Sequence, residues 1–235
     1  MKKIRLMLNS FSMCEITLWS LSVILVAISF AVFDRENYMT LIASLIGVTS
    51  LIFNAKGNPI GQVLMVVFSI LYGIISYTFS YYGEMITYLG MTGPMAVLAL
   101  ISWLRNPYNG NRAEVKVNSI KKREVIFMFI LTAVITVAFY FILDFFRTAN
   151  IIPSTLSVAT SFIAVYLTFR RSAYFALAYA ANDIVLIILW ALATLSNISY
   201  LSVIICFVAF LVNDIYGFIN WLKIQKRQND NHDKE

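Results

Sequence analysis

Histidine occurs once in the 235-residue chain, as His232 in a polar tail. Imidazole catalysis and His-ligated metal sites are thereby excluded. Cysteine occurs twice, at Cys14 and Cys206, far apart and in neither a C-x-x-C nor a zinc spacing; both read as free and structurally incidental. There is no P-loop, no H-E-x-x-H and no G-x-S-x-G stretch. No Lys or Arg stands in the middle of a long apolar run, so nothing there would answer a phosphate group. Neither a metal nor a cofactor is expected. Charge of either sign is scarce, at 13% of residues, against about 25% in an ordinary soluble domain. In its place are 60% hydrophobic residues and a mean hydropathy of +0.78. A chain this small cannot hide so much apolar surface from water, so the solvent for most of it is the lipid bilayer.

A helix needs about 20 apolar residues to span the hydrocarbon core. Eight segments qualify or come close: Glu15 to Phe33, Tyr38 to Phe53, Pro59 to Ser80, Gly83 to Leu104, Val125 to Phe146, Ile152 to Phe169, Tyr174 to Leu195, and Ile198 to Leu222. The net charge of +6 is unevenly spread. With a cytoplasmic N-terminus, sixteen of the eighteen Lys and Arg residues, from Lys2, Lys3 and Arg5 to Lys234, fall on the cytoplasmic side. Only Arg35 and Arg147 fall outside. That bias is the positive-inside pattern rather than a nucleic-acid footprint, and it places both termini in the cytoplasm. An alternative for the first run is a signal peptide cut near Ala27-Ile28-Ser29, which would leave seven helices.

The longest polar stretch, Arg105 to Lys122, divides the chain near its middle. Three helices precede it, apart from the first, and three follow the fifth. Sliding the second triplet back by about 113 residues lays Ser157 on Ser44, Asn182 on Ser69 and Trp190 on Tyr77. With a few extra loop residues Trp221 falls on Trp103. One helix lies between the triplets, so both share one orientation and form parallel repeats about an axis along the membrane normal.

Two stretches bury an amide beside a carboxylate: "ANDIVLIILW" at Asn182-Asp183 and "NDIYGFINW" at Asn213-Asp214, each with a Trp seven residues after the Asp. Asn182 lies about 8 residues, or ~12 Å, into the seventh helix, and Asn213 about 9 residues from the same side of the eighth. Both pairs therefore lie near the midplane. An ionised Asp there costs at least ~2.5–3.5 kcal/mol. Such residues line a wet site for a cationic or hydroxylated ligand, or serve as hydrogen-bonding glue between two helices. Trp190 fits either a pocket wall or the aromatic belt; Trp103 and Trp221, beside Arg105 and Lys223, are expected in the belt. The first triplet contributes Gln62, Ser69, Tyr72, Tyr77, Tyr88 and Thr92. Gly90, Gly93 and Pro94 interrupt the fourth helix and are expected to kink it or to serve packing. Glu84, at the outer mouth of that helix, is expected to be solvated.

The stretches "KGNPIGQ…YGIISY", "YYGEMITYLGMTGPMAVLALISWLRNP" and "YFALAYAANDIVLIILWALA…SVIICFVAFLVNDIYGFINWLKIQKR" resemble the PnuC family of bacterial nicotinamide riboside transporters, over Leu41 to Lys226. The resemblance implies an all-α integral membrane protein of about eight helices, arranged 1+3+1+3 as in full-length SWEET transporters. Residues 1–37 would add an N-terminal helix, 38–104 form the first three-helix bundle, and 105–150 hold a loop and linker helix. Residues 151–223 would form the second bundle and 224–235 a polar tail. It further implies facilitated diffusion of a vitamin B3 nucleoside, trapping by a cytoplasmic kinase, and a possible homotrimer. The family's buried second-repeat positions carry over onto Asn182, Trp190 and Asn213, accompanied here by Asp183 and Asp214; Tyr72, Gln62 and Tyr88 join them as candidate ligand contacts. Many relatives carry Gly-Trp where this chain has Ala99 and Leu100. Relatives also move thiamine, another cation, so a thiamine-type transporter is the alternative. A membrane-embedded enzyme using Asp183 and Asp214 as acid and base is the alternative of another class.

Overall fold

In lipid, every backbone amide must be satisfied within its own segment, so long apolar runs close into helices. The computed structural model describes residues 11–78, 81–148, 150–195 and 197–232. Among them, eight helices are long and apolar enough to cross a bilayer. They are α1 (Met13–Phe33), α2 (Tyr38–Ala55), α3 (Ile60–Thr78), α4 (Tyr82–Arg105), α5 (Lys122–Phe145), α6 (Ile151–Phe169), α7 (Phe175–Thr194) and α8 (Leu201–His232), the last entered through a 3-10 turn at Ile198–Tyr200. All eight expected segments are helical. Lys2, Lys3, Arg5 and Lys234, counted above toward the cytoplasmic side, and Ser80, the expected end of the third span, lie outside the described residues. The loops bearing Lys56, Arg170 and Arg171 share one end of the bundle with the start of α7 and the far part of α8, here termed the basic end.

The triplets α2–α4 and α6–α8 pack reciprocally. The first helix of each lies against the last helix of the other, α2 on α8 and α6 on α4. The lone helix α5 packs on α6, and α1 packs on α8 and α2. Three polar contacts tie α1 to its neighbours: Trp19 to Thr49 (3.1 Å), Ser22 to Asn213 (2.9 Å) and a Glu15–Lys56 ion pair (3.1 Å). A capping box between Ser12 and Glu15 starts α1.

The two triplets end their first helices in the same way. α2 closes with Gly57 N–H donating to the Asn54 carbonyl and Asn58 N–H to that of Phe53. α6 closes with Arg171 N–H donating to Thr168 and Ser172 N–H to Leu167. The turn residue is left-handed in both, Gly57 at φ 67° and Arg171 at φ 56°, as this kind of helix end requires. Each end is then covered by the other triplet. Trp221 Nε1–H donates to the Asn54 carbonyl (2.8 Å) and Asn220 to that of Ala55 (2.8 Å). Reciprocally, Trp103 Nε1–H donates to Thr168 (2.9 Å) and the Ser102 hydroxyl to Phe169 (2.9 Å). Asn54/Thr168, Ala55/Phe169 and Gly57/Arg171 all correspond at one interval, a single residue longer than the one read from the sequence. The two indoles meet at 5.4 Å between centroids, and both are 0% exposed. The belt assignment of Trp103 and Trp221 is therefore corrected: they are buried between the triplets, because the nearby carbonyls give their N–H groups partners that lipid cannot.

Two further differences arise at the basic end. The stretch after Arg105 holds a hairpin, Pro107–Tyr108 against Asn111–Val115, turning at Asn109 (φ 47°) and Gly110 (φ 75°). Asn-Gly favours the two positive φ values of a tight hairpin turn, a signal present in the sequence but not used there. The polar tail from residue 224 continues α8 rather than leaving it, and packs on this hairpin. Gln228 accepts from Val117 N–H (2.8 Å) and donates to Glu114 (2.9 Å), while Arg227 pairs with Glu114.

In α4 the expected interruption takes the form of a π turn at Tyr88–Thr92. Pro94 has no N–H to continue the ladder, and Gly93 N–H reaches back to the Tyr88 carbonyl instead. A Cβ on Gly93 would lie 3.1 Å from that carbonyl oxygen, tighter than ordinary contact. The inserted residue re-aims the helix face and leaves Tyr88 buried, 4.4 Å from Tyr72 across the α3–α4 contact.

Reciprocal capping makes a specific energetic demand. Trp103→Ala and Trp221→Ala are each expected to cost about 3–5 kcal/mol. The double variant should cost less than the sum, because the rings touch. Thermal unfolding of the purified protein in detergent measures both; additivity would show that the indoles act separately.

Candidate functional site

The Asn-Asp pairs of α7 and α8 come to one level, as their depths suggest: the Asp183 and Asp214 carboxyls lie within hydrogen-bonding reach of each other. The phenol of Tyr179 lies close to both, on the basic side, near Thr168. Tyr88, from the π turn of α4, lies within electrostatic reach of Asp183 on one side and Glu84 on the other. Carboxyls from α4 and α7 thus lie near one phenol. The ion pairs among the described residues are Glu15–Lys56, Glu124–Arg170 and Glu114–Arg227; none includes Glu84, Asp183 or Asp214.

Seven residues along α7 from Asp183, about 10 Å nearer the opposite end, Trp190 enters an aromatic cluster. Its ring lies 4.9 Å from Tyr81, 5.4 Å from Tyr200 and 6.4 Å from Tyr72. Tyr72 is also 5.9 Å from Phe207. Beside the rings of Tyr72, Trp190 and Phe207 lies a narrow cavity of about 10 Å³. Thr40, Ser44, Phe68 and Tyr72 come from the first triplet; Trp190, Cys206 and Phe207 come from the second. A drug-sized pocket spans ~300–1,000 Å³, whereas this one has room for about one water molecule, so the rings must part to admit a nucleoside. The Tyr72 hydroxyl and the Trp190 N–H, both buried here, lie within reach of each other without a well-formed hydrogen bond between them or to another group; Asp183 Oδ2 and Glu84 Oε2 also lack a hydrogen-bond partner. Unsatisfied buried polar atoms are costly. Clustered beside a cavity, they are what a polar guest would satisfy.

The remaining sequence candidates divide. The Asn182 carbonyl oxygen accepts from Thr160 (2.8 Å) and Ser161 (2.9 Å) on α6, which fixes its amide plane next to Asp183. Asn213 donates to Ser22 on α1 (2.9 Å) and to its own helix at Ala209 (2.7 Å), leaving its Oδ1 unpaired. Gln62 is not brought to the cavity. It donates to Asn54 (2.8 Å), which donates to Ser50 (3.3 Å), so it braces the helix end on which Trp221 docks. Glu84 is 2% exposed rather than solvated. The first turn of α4 is covered by α5: a Cβ on the adjacent Gly83 would strike Leu143 at 2.6 Å. Cys206, expected to be incidental, lines the cavity. Tyr81 and Tyr200 lie in loops at the ends of spans, where periodicity gives no hint that they fold over Trp190. A larger open groove at the basic end, lined by Glu15, Lys56, Arg112 and Arg227 among others, includes none of the candidates.

Comparison with known proteins places this geometry. A family model described as nicotinamide mononucleotide transporter matches residues 37–223. The nicotinamide riboside transporter PnuC of Neisseria mucosa is 28% identical over 201 residues, covering 83% of this chain and 76% of that protein. The PnuC of Haemophilus influenzae is 22% identical over 195 residues, covering 83% of each. The crystal structure of the vitamin B3 transporter PnuC superposes with a TM-score of 0.81 at 25% identity, over 93% of this chain and 94% of that one. These relatives are named as transporters. With eight membrane-capable helices and a family match across most of its length, this chain is a multi-pass membrane protein belonging to the nicotinamide mononucleotide transporter family, which includes the PnuC nicotinamide riboside transporters.

Proposed function

We propose that this chain imports nicotinamide riboside by facilitated diffusion, with the two triplets alternating about the cavity between them. The observation that supports this reading is the aromatic cavity at the junction of the triplets, where the Tyr72 hydroxyl and the Trp190 N–H have no well-formed hydrogen bond and only each other within reach. Trp190 and the tyrosines offer ring faces to a pyridinium, worth ~0.5–2 kcal/mol each as cation–π contacts. The hydroxyl and the indole N–H offer hydrogen bonds to ribose. Asn182, oriented by α6, and the Asp183–Asp214 pair meet the guest deeper in, with Tyr88 between the two levels. Asn213 acts through its contact with α1. Release toward the cytoplasm, at the basic end, requires the reciprocal Trp103 and Trp221 contacts to part. Phosphorylation there then traps the nucleoside.

The family description and the relatives' names differ by one phosphate, and the site chemistry favours the form without it. No Lys or Arg lines the cavity, and the nearest charged groups are carboxylates. The phosphate of a mononucleotide would meet like charge and no basic partner. Thiamine shares the positive charge and is the competing ligand.

Two outcomes are expected. In titration calorimetry of the purified protein, nicotinamide riboside should bind and nicotinamide mononucleotide should not; tighter binding of thiamine would transfer the assignment to that vitamin. Trp190→Ala should weaken riboside binding about tenfold or more while leaving the fold intact. Unchanged affinity would remove Trp190 from the site. Labelled-riboside uptake into proteoliposomes, equilibrating without accumulating against its gradient, checks the transport mode.

A further inference from the structure

We propose that Glu84 selects for positive charge in the ligand, acting as a specificity-determining counter-ion at the cavity's edge. This inference rests on the functional reading above. Glu84 lies in the first turn of α4, four residues before Tyr88, whose ring is 4.4 Å from that of the cavity-lining Tyr72, and is 2% exposed. Its Oε2 has no hydrogen-bond partner, and no ion pair among the described residues includes it. The carboxyl is within electrostatic reach of the phenols of Tyr72 and Tyr88. Tyr72 lines the cavity, and its hydroxyl has only the Trp190 N–H within reach. A buried, unpaired carboxylate is among the costliest groups a membrane helix can hold. The cost is offset when a cation sits beside it. Asp183 and Asp214 face each other deeper in the bundle, so Glu84 is the carboxylate at the level of the rings. A pyridinium held among Tyr72, Tyr88 and Trp190 places its positive charge next to Glu84. A neutral ring of the same shape gains nothing there.

The test compares nicotinamide riboside with its reduced dihydro form, which keeps the ribose and carboxamide but is uncharged. Wild-type protein should prefer the cationic form. Glu84→Gln, which preserves shape and removes charge, should weaken binding of the cation by about tenfold to a hundredfold and leave the neutral form within about twofold. Glu84→Asp should retain part of the preference. Thermal unfolding of the unliganded variants establishes that each is folded. A Glu84→Gln protein that keeps the wild-type ratio, or that loses both ligands equally, overturns the proposal while leaving the functional reading intact. Wild-type protein that binds neither form overturns the functional reading and this proposal together.

Discussion

A helix that ends inside or near a bilayer leaves backbone carbonyls that no water will satisfy. The arrangement of this molecule follows from how two such ends are covered. The end of α2 takes an indole and an amide from α8, and the end of α6 takes an indole and a hydroxyl from α4. Neither triplet completes its own first helix; each supplies the closing donors for the other. That exchange fixes the triplets face to face at the basic end, and it leaves their junction toward the opposite end to be filled by rings. The cavity exists where the exchange does not reach.

Buried polarity therefore has two uses here, and residue type does not tell them apart. Asn54, Gln62 and Asn220 lie in apolar surroundings and donate to a neighbouring acceptor. Tyr72, Trp190, Asp183 and Glu84 are as buried and hold atoms without a partner. Isolated hydroxyls such as Ser76 and Ser157 are also unpaired. The site is distinguished by concentration: a phenol from α3 and an indole from α7 line one small space, and Tyr88 links them to the carboxyls of Glu84 and Asp183. The π turn in α4 belongs to the same design. It gives up regular helical bonding around Gly93 and Pro94 and in return turns Tyr88 toward Tyr72 and between two carboxyls.

The two Asn-Asp stretches show how far the sequence could be read. Each has a Trp seven residues after its Asp, and by pattern alone the two are equivalent. α7 and α8 run antiparallel, so the same step along the chain leads in opposite directions. From Asp183 it leads to the cavity, where Trp190 becomes a wall. From Asp214 it leads to the basic end, where Trp221 closes a helix. Glu84 reads as solvated for a related reason. Its position at the start of a span is evident in the sequence, but the α5 end that covers it is more than fifty residues away. Gln62 reads as a ligand contact because its partner Asn54 lies beyond a turn, and a polar residue with an unseen partner looks unpaired.

Hydropathy, charge placement and the order of apolar runs by themselves determined the number of spans, their near-boundaries, the internal repeat and the level of the Asp pair. All of these follow from local composition and from depth counted along a helix. Only the tertiary structure decided which buried polar atoms are spoken for. That depends on which helix faces lie opposite one another, and on an exchange of hydrogen bonds between residues as distant as Asn54 and Trp221. Such contacts are set by packing between triplets, where every helix is apolar on all sides and hydrophobic periodicity carries little directional information.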